Sequence, residues 1–389
     1  MNFSKKNYKH KYLNRNTVSK NLNKIIIIIL SLITFTTFAN ETHPAKKNTI
    51  KVALLLDTSN SMDGLINQAK TQLWEIVNEL SYAKCENQHP DLLISLYEYG
   101  NDNLSSNEGY IRQVIGFSSD LDEISEKLFS LNTNGGNEFC GEVIQTSLKQ
   151  LDWGKNKNDL KLIFIAGNEP FTQGKINYKD AAAQANEQDV TVNTIFCGNY
   201  QNGVSGKWQD GARLTHGDYM VIDHNETIVH INSPYDDIII QLNNQLNDTY
   251  IYYGAHGRSK MQLQAAQDGN AAELDEVVAV KRAVSKSSRI YKNATWDLVD
   301  AEKEEGFSYN KLDKKSLPKN LKDKSSEELK KYVAQQRKKR TEIQQKINTL
   351  NSKRNNFVAE KRKENNTKSI DKAMINAIKK QAKTKNYEW

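Results

Sequence analysis

Residues 49–61 read TIKVALLLDTSNS, and this stretch decides the fold. The run from Ile50 to Leu56 is nearly all apolar, as a strand buried on both faces requires. It ends on Asp57-Thr58-Ser59-Asn60-Ser61, where helical spacing takes over. Asp57, Ser59 and Ser61 then bring one carboxylate and two hydroxyls onto a single tight turn. That is a partial shell for a hard cation such as Mg²⁺ or Ca²⁺, which takes oxygen ligands. The turn also lies at the carboxyl end of a strand, where open α/β sheets bind their ligands.

The following segments alternate between the two periodicities. Residues 61–82 place Leu65, Ala69, Leu73, Ile76, Val77 and Leu80 on one helical stripe. Residues 91–99 (DLLISLYEY) and 110–117 read as strands, the second reached through a polar loop without a helix. It is therefore expected as an antiparallel edge. Helices are expected over 120–131, 138–151, 178–188 and 236–253, with a short one over 206–216. Strands are expected over 161–166, 190–198 and 219–223. This order predicts an α/β fold: a doubly wound, mostly parallel six-stranded sheet covered on both sides.

The Asp-x-Ser-x-Ser turn, together with this order of elements, resembles the von Willebrand factor type A domain over residues 49–256. The resemblance implies a Rossmann-like sheet with a metal-ion-dependent adhesion site on top. In that family two serines and a second-loop threonine hold Mg²⁺ directly. The aspartate and a third-loop acid hold ligated waters, and a partner's carboxylate fills an open position. Asp57, Ser59 and Ser61 match the first loop. The second loop aligns on Gly135-Gly136, so the threonine falls on Asn137, with Glu138 adjacent and Thr133 before the glycines. The third loop aligns on Ile165-Ala166-Gly167, so the family acid falls on Ala166, with Asn168 and Glu169 following. The candidate metal set is Asp57, Ser59, Ser61, Asn137, Glu138 and Glu169, for Mg²⁺ with Ca²⁺ or Mn²⁺ as alternatives. The competing reading is a metal-free domain whose serines cap the helix.

Residues 1–39 carry seven Lys/Arg, no acid, and an apolar run from Ile25 to Phe38. They read as a secretory signal peptide, with an uncleaved anchor as the alternative. The expected location is secreted or periplasmic, in the cell envelope. This segment also carries the whole net charge of +7. Residues 40–389 hold 47 basic and 47 acidic residues, so charge gives no reason to expect a nucleic-acid partner. Charge is instead split along the chain: residues 301–389 carry 25 Lys/Arg against 12 Asp/Glu. Such a basic tail can meet the acidic head or an anionic surface.

Residues 257–324 read as a mixed helical and linker segment, helical over 262–284 and loop-like over 308–323. From residue 325 onward a long basic helix is expected. Positions 329, 333, 336, 340, 343, 347, 350, 354 and 357 have coiled-coil spacing with polar interruptions at Gln336, Arg340 and Arg354. A homo-oligomer through this seam and a helix lying on the domain are both open.

Three cysteines exclude a disulfide scaffold. Cys140 and Cys197 are expected on the carboxyl-end face and form the candidate disulfide, against three unpaired thiols. No Gly-x-Ser-x-Gly, phosphate-binding loop or Glu-x-x-His pattern is present, and His216, His224 and His230 read as loop residues. A hydrolase therefore ranks below two binding readings. The first is an exported adhesion-type module, non-enzymatic, that captures an acidic group of a protein partner. The second is a metal-free scaffold component of the envelope.

Overall fold

The computed structural model describes residues 47–222, 231–365 and 370–389. The expected signal peptide, His224 and His230 lie outside these residues. Residues 47–389 form one compact unit. Its strands are β1 (Thr49–Asp57), β2 (Lys84–Cys85), β3 (Asp91–Tyr99), β4 (Ile111–Ser118), β5 (Leu160–Gly167), β6 (Thr191–Cys197), β7 (Tyr219–Ile222) and β8 (Tyr387–Glu388). Its helices are α1 (Asp63–Leu80), α2 (Leu121–Phe129), α3 (Cys140–Gln150), α4 (Tyr178–Glu187), α5 (Tyr200–Ser205), α6 (Trp208–Arg213), α7 (Asp236–Asn247), α8 (Gly257–Leu274), α9 (Glu276–Ser287), α10 (Leu298–Ala301), α11 (Ser326–Asn365) and α12 (Ile370–Lys383).

Six strands form one sheet in the order β4-β3-β1-β5-β6-β7. All neighbours are parallel except β3 and β4, so β4 is the antiparallel edge its helix-free connection predicts. The chain leaves β1 toward β3 on one side and reaches β5 on the other. The carboxyl end of β1 is thus the switch point of the sheet, and Asp57 stands on it.

Side-chain alternation along β1 divides the core. Ala53 and Leu55 join one cluster with Val143, Ile144, Ala181 and Trp208, under α3, α4 and α6. Ile50, Val52, Leu54 and Leu56 join the other, under α1, α2 and α7. The second face carries a further layer. Helix α9 packs on α1 and α7, α11 packs on α7 and α9, and α12 packs on α1 and β7. At its end β8 pairs with β2, so the chain terminus is tied to the loop after α1.

Two expectations for the carboxyl-terminal third are refined. The segment 262–284 is two helices, because Asp275 leaves helical geometry and its side chain accepts from the Val277 amide as the cap of α9. The segment 308–323 is ordered in short 3-10 turns that bury Leu317 and Leu321 with Leu329 and Val333.

The seam of the long helix is filled inside the chain, so the helix lies on the domain. Leu329, Val333, Ile343 and Ile347 are buried against this molecule's own clusters. Two of the polar interruptions are anchors. Arg340 donates to Asp297 Oδ2 at 2.6 Å, to the Thr249 carbonyl at 2.9 Å and to Thr249 Oγ1 at 3.0 Å, with its guanidinium 4.0 Å from the Tyr250 ring centre. Arg354 donates to the buried Asp236 at 2.8 Å.

Replacing Arg340 by Met strands the buried Asp297 carboxylate. Breaking one partner of such a pair costs about 3–5 kcal/mol. Arg337 also pairs with a carboxylate, that of Glu302 at 2.7 Å, but from an exposed position. Arg337→Met is expected to cost below about 1 kcal/mol. Urea unfolding of the two variants checks the contrast, and equal costs would remove the anchoring role of Arg340.

Candidate functional site

Asp57 is fully buried at the end of β1. Its Oδ1 accepts from the Ser59 amide at 2.7 Å, which bends the chain into the turn. The Ser59 and Ser61 hydroxyls lie 2.9 Å apart, and Ser61 donates to Asn168 Oδ1 at 3.2 Å. Asp57 Oδ2 is buried without a hydrogen-bond partner. The Glu138 carboxyl, also buried, lies beside it. Burial, and then this neighbouring carboxyl, push the Asp57 carboxyl well above its ordinary value. Among the described residues no Lys or Arg pairs with either group.

The second loop is held by its backbone. The Asn134 amide donates to the Thr58 carbonyl at 3.0 Å. Asn101, which sequence reasoning missed, is buried and donates to the Asn132 carbonyl at 3.0 Å and to Thr58 Oγ1 at 3.3 Å. It ties the first two loops together. A Cβ on Gly136 would stand 2.6 Å from the Gly100 carbonyl oxygen, so this glycine permits the loops to touch. A Cβ on Gly100, at φ 76°, would meet Asp57 Oδ1 at 2.7 Å and Glu138 Cγ at 2.9 Å.

Several expected positions change. Asn137 is exposed, and Glu138 is the second-loop residue that turns inward. Alternation is the reason: once Glu138 points into the loop junction, its neighbour points out. Ala166 pairs with Leu56 in register and faces the opposite core. The third-loop residue facing Asp57 is instead Gly167, whose added Cβ would lie 3.3 Å from Asp57 Oδ2. The same Cβ would lie 2.6 Å from the Tyr99 hydroxyl and 2.9 Å from the Trp208 ring. These two aromatic groups fill the space an acid would need. They also pin the loop, since Tyr99 donates to the Ala166 carbonyl at 2.9 Å and Trp208 Nε1 to the Glu169 carbonyl at 2.7 Å. Glu169 joins the site through its amide, which donates to Glu138 Oε2 at 3.3 Å. Its carboxylate is exposed and accepts from Gln173 at 3.2 Å.

The candidate disulfide is corrected as well. All three cysteines are free and buried. Cys140 lies in the cluster under α3, while Cys197 shares the face of Ile195 in the other cluster. The sheet stands between them. Tyr97 and Tyr99 are core residues of the same cluster as Cys140.

Two carboxyls, two hydroxyls and the Asn168 amide form an all-oxygen donor set, suited to a hard cation. The orphaned Oδ2 and the uncompensated carboxyl pair both fit one. Among the described residues no group of three or more His, Cys, Asp or Glu is placed to hold a metal, so the site depends on its hydroxyls.

Gly167→Asp tests the packing account. If Tyr99 and Trp208 already fill the space, the variant is overpacked and loses about 1–3 kcal/mol. Thermal melts with and without Mg²⁺ read it. A variant as stable as the parent would show that the space is open.

The comparisons follow this geometry. Residues 51–206 match the model of the von Willebrand factor type A domain. Among solved structures, the conserved hypothetical protein BatB of Bacteroides thetaiotaomicron is 16% identical, with 45% of this chain and 90% of that chain covered and a TM-score of 0.34. The SpRpn10 VWA domain is 14% identical, with coverages of 46% and 91% and a TM-score of 0.36. Proximal thread matrix protein 1 of the mussel byssus, described with a zinc-occupied MIDAS motif, is 9% identical, with coverages of 46% and 43% and a TM-score of 0.34. A search of the curated proteins finds no match. With its switch-point aspartate, its sheet order and the matched model, this chain carries a von Willebrand factor type A domain over residues 51–206.

Proposed function

We propose that this chain is an exported, non-enzymatic binding module that engages an acidic group of a protein partner at its Asp57 face. Asp57, Ser59, Ser61 and Glu138 would hold a divalent cation, Mg²⁺ with Ca²⁺ or Mn²⁺ as substitutes. When bound, the ion supplies an electrophilic position open to a partner's carboxylate. The observation that carries this reading is the buried Asp57–Glu138 carboxyl pair, which has an orphaned oxygen and, among the described residues, no cationic side chain beside it. Two acids in one dry pocket oppose each other unless a proton or a cation lies between them. Export rests on the basic start and apolar run of residues 1–39.

The chain's own residues divide the work. Ser59 and Ser61 offer hydroxyl oxygens at the rim, and Asn168 orients Ser61. Tyr99, Trp208 and Asn101 hold the three loops in place from below. One observation favours a second reading, a metal-free scaffold component of the cell envelope. Gly167 contributes no side chain, so a shared proton alone can satisfy the carboxyl pair.

Metal titration of chelated protein separates the two. An ion that binds only the folded state at 100 times its Kd adds about 2.7 kcal/mol. Mg²⁺ or Mn²⁺ is expected to raise the melting temperature of the parent and not that of the Ser59→Ala, Ser61→Ala double variant. Glu138→Gln relieves the repulsion, so it is expected to melt higher than the parent without ion and to lose the response to ion. No rise in the parent at millimolar ion removes the metal-dependent reading and leaves the scaffold.

A further inference from the structure

Two sets of basic residues in the tail differ in their surroundings. One group pairs with the acidic body of the chain. Arg340 meets Asp297, Arg354 meets Asp236, Lys379 meets Glu79, Lys380 meets Asp218 and Lys385 meets Asp189. These contacts fasten α11, α12 and the terminus to the domain.

The other group points away from it. Lys331, Lys338, Lys339, Lys346 and Lys353 are all exposed on α11. Among the described residues no carboxylate pairs with any of them. At 3.6 residues per turn they fall within roughly 100° of arc and extend over about 33 Å of helix. The seam of Leu329, Val333, Arg340, Ile343 and Ile347 lies roughly 130° round the helix from their centre. Glu342 is the one acid inside the lysine arc between its ends. Glu342 stands four residues from both Lys338 and Lys346, so this face carries five cations against one anion.

We infer that this ridge is an electrostatic docking surface for an anionic phospholipid bilayer. Its five charges lie along one straight element held rigid by the buried seam beneath. Among the described residues the exposed large apolar side chains, Tyr82, Tyr200, Ile238 and Trp389, lie off α11, and the helix's own Tyr332 and Phe357 are half-buried, so the ridge offers no exposed ring for insertion or for base stacking. Contact is therefore peripheral, through lysine ammonium groups and lipid phosphates. Residues 40–389 are charge-balanced overall, and the acidic body is repelled by the surface that attracts the ridge. The molecule would dock in one orientation, with α11 against the bilayer. The metal-site loops lie at the carboxyl end of the sheet, whereas α11 packs over α7 and α9. Membrane contact thus leaves the Asp57 face to a different partner.

Vesicle co-sedimentation of the chain from residue 40 onward, which contains the whole compact unit, tests the inference. Vesicles of phosphatidylcholine with phosphatidylglycerol are expected to bind it, and pure phosphatidylcholine vesicles are not. Raising salt several-fold, so that the screening length shortens, should weaken binding by about tenfold or more. The triple variant Lys338→Glu, Lys346→Glu, Lys353→Glu should lose binding while melting like the parent, because these side chains are exposed. A Lys→Gln triple at the same positions should fall between them. Three results would overturn the inference. They are equal binding to both lipids, no binding to either, or a Glu variant that binds like the parent. Complete displacement by duplex DNA at equal phosphate concentration would likewise overturn it, by showing that the ridge reads polyanions rather than a bilayer.

Discussion

Asp57 and Glu138 lie against each other out of water at the point where the sheet changes direction. A buried carboxylate is tolerated when a hydrogen bond or an opposite charge meets it. Here Oδ1 has the Ser59 amide, but Oδ2 has nothing, and the nearest charge has the same sign. Among the described residues no lysine or arginine relieves this pair, although the chain is rich in both. Elsewhere such residues do so repeatedly. The buried Asp122 and the largely buried Asp268 meet Arg282, and Asp268 also meets Lys286 at 2.6 Å. Burial would raise the Asp268 carboxyl, yet the charges of Lys286 and Arg282 hold it well below the usual carboxylate range. The difference between the two sites is the difference between a structural ion network and a site left short of positive charge.

The surrounding loops keep that shortage in place. Asn101, Tyr99 and Trp208 satisfy backbone carbonyls of the first, second and third loops. Gly100, Gly136 and Gly167 let the loops approach until a single methyl group would collide. The loops are thus positioned by contacts within the chain. Contacts that hold a site in place lower the ordering cost of binding. They also explain why the third loop manages without an acid. Its packing role, filled by two aromatic rings, excludes the side chain that would have carried the charge.

Much of this was legible in the residues alone, and the failures share a cause. The apolar run of β1, the turn at Asp57 and the helix-free step to β4 follow from periodicity and spacing, which local sequence carries. Asn137 against Glu138 and Ala166 against Gly167 are one-residue offsets at loop junctions. A shift of one residue moves a side chain to the other face. The register there is decided by contacts such as Gly136 on the Gly100 carbonyl, which have no local signature. Cys197 was readable in part. It alternates with Phe196 and shares a face with Ile195, so strand periodicity already set it apart from the cluster that holds Cys140. The seam of α11 was read at the right positions, but spacing names no partner. The surface that fills it comes from helices α7, α9 and α10 of the same chain.

Residue choice along α11 is informative beyond spacing. The cations that enter the buried seam, at 340 and 354, are arginines. The five that form the outer ridge are lysines. A guanidinium is planar, weakly hydrated and able to donate in several directions at once, and Arg340 spends its donors on Asp297, Asp300 and both oxygens of Thr249. An ammonium is a compact, strongly hydrated charge that resists burial and stays in water at the end of a flexible stem. Exchanging the two types would weaken both faces: lysine at 340 would leave Thr249 and Asp297 partly unmatched, while arginine on the ridge would gain nothing from its fork in open solvent. The helix therefore reads as one element with two duties. Its arginine side fastens the carboxyl-terminal third to the type A domain, and its lysine side is left as uncompensated charge facing outward.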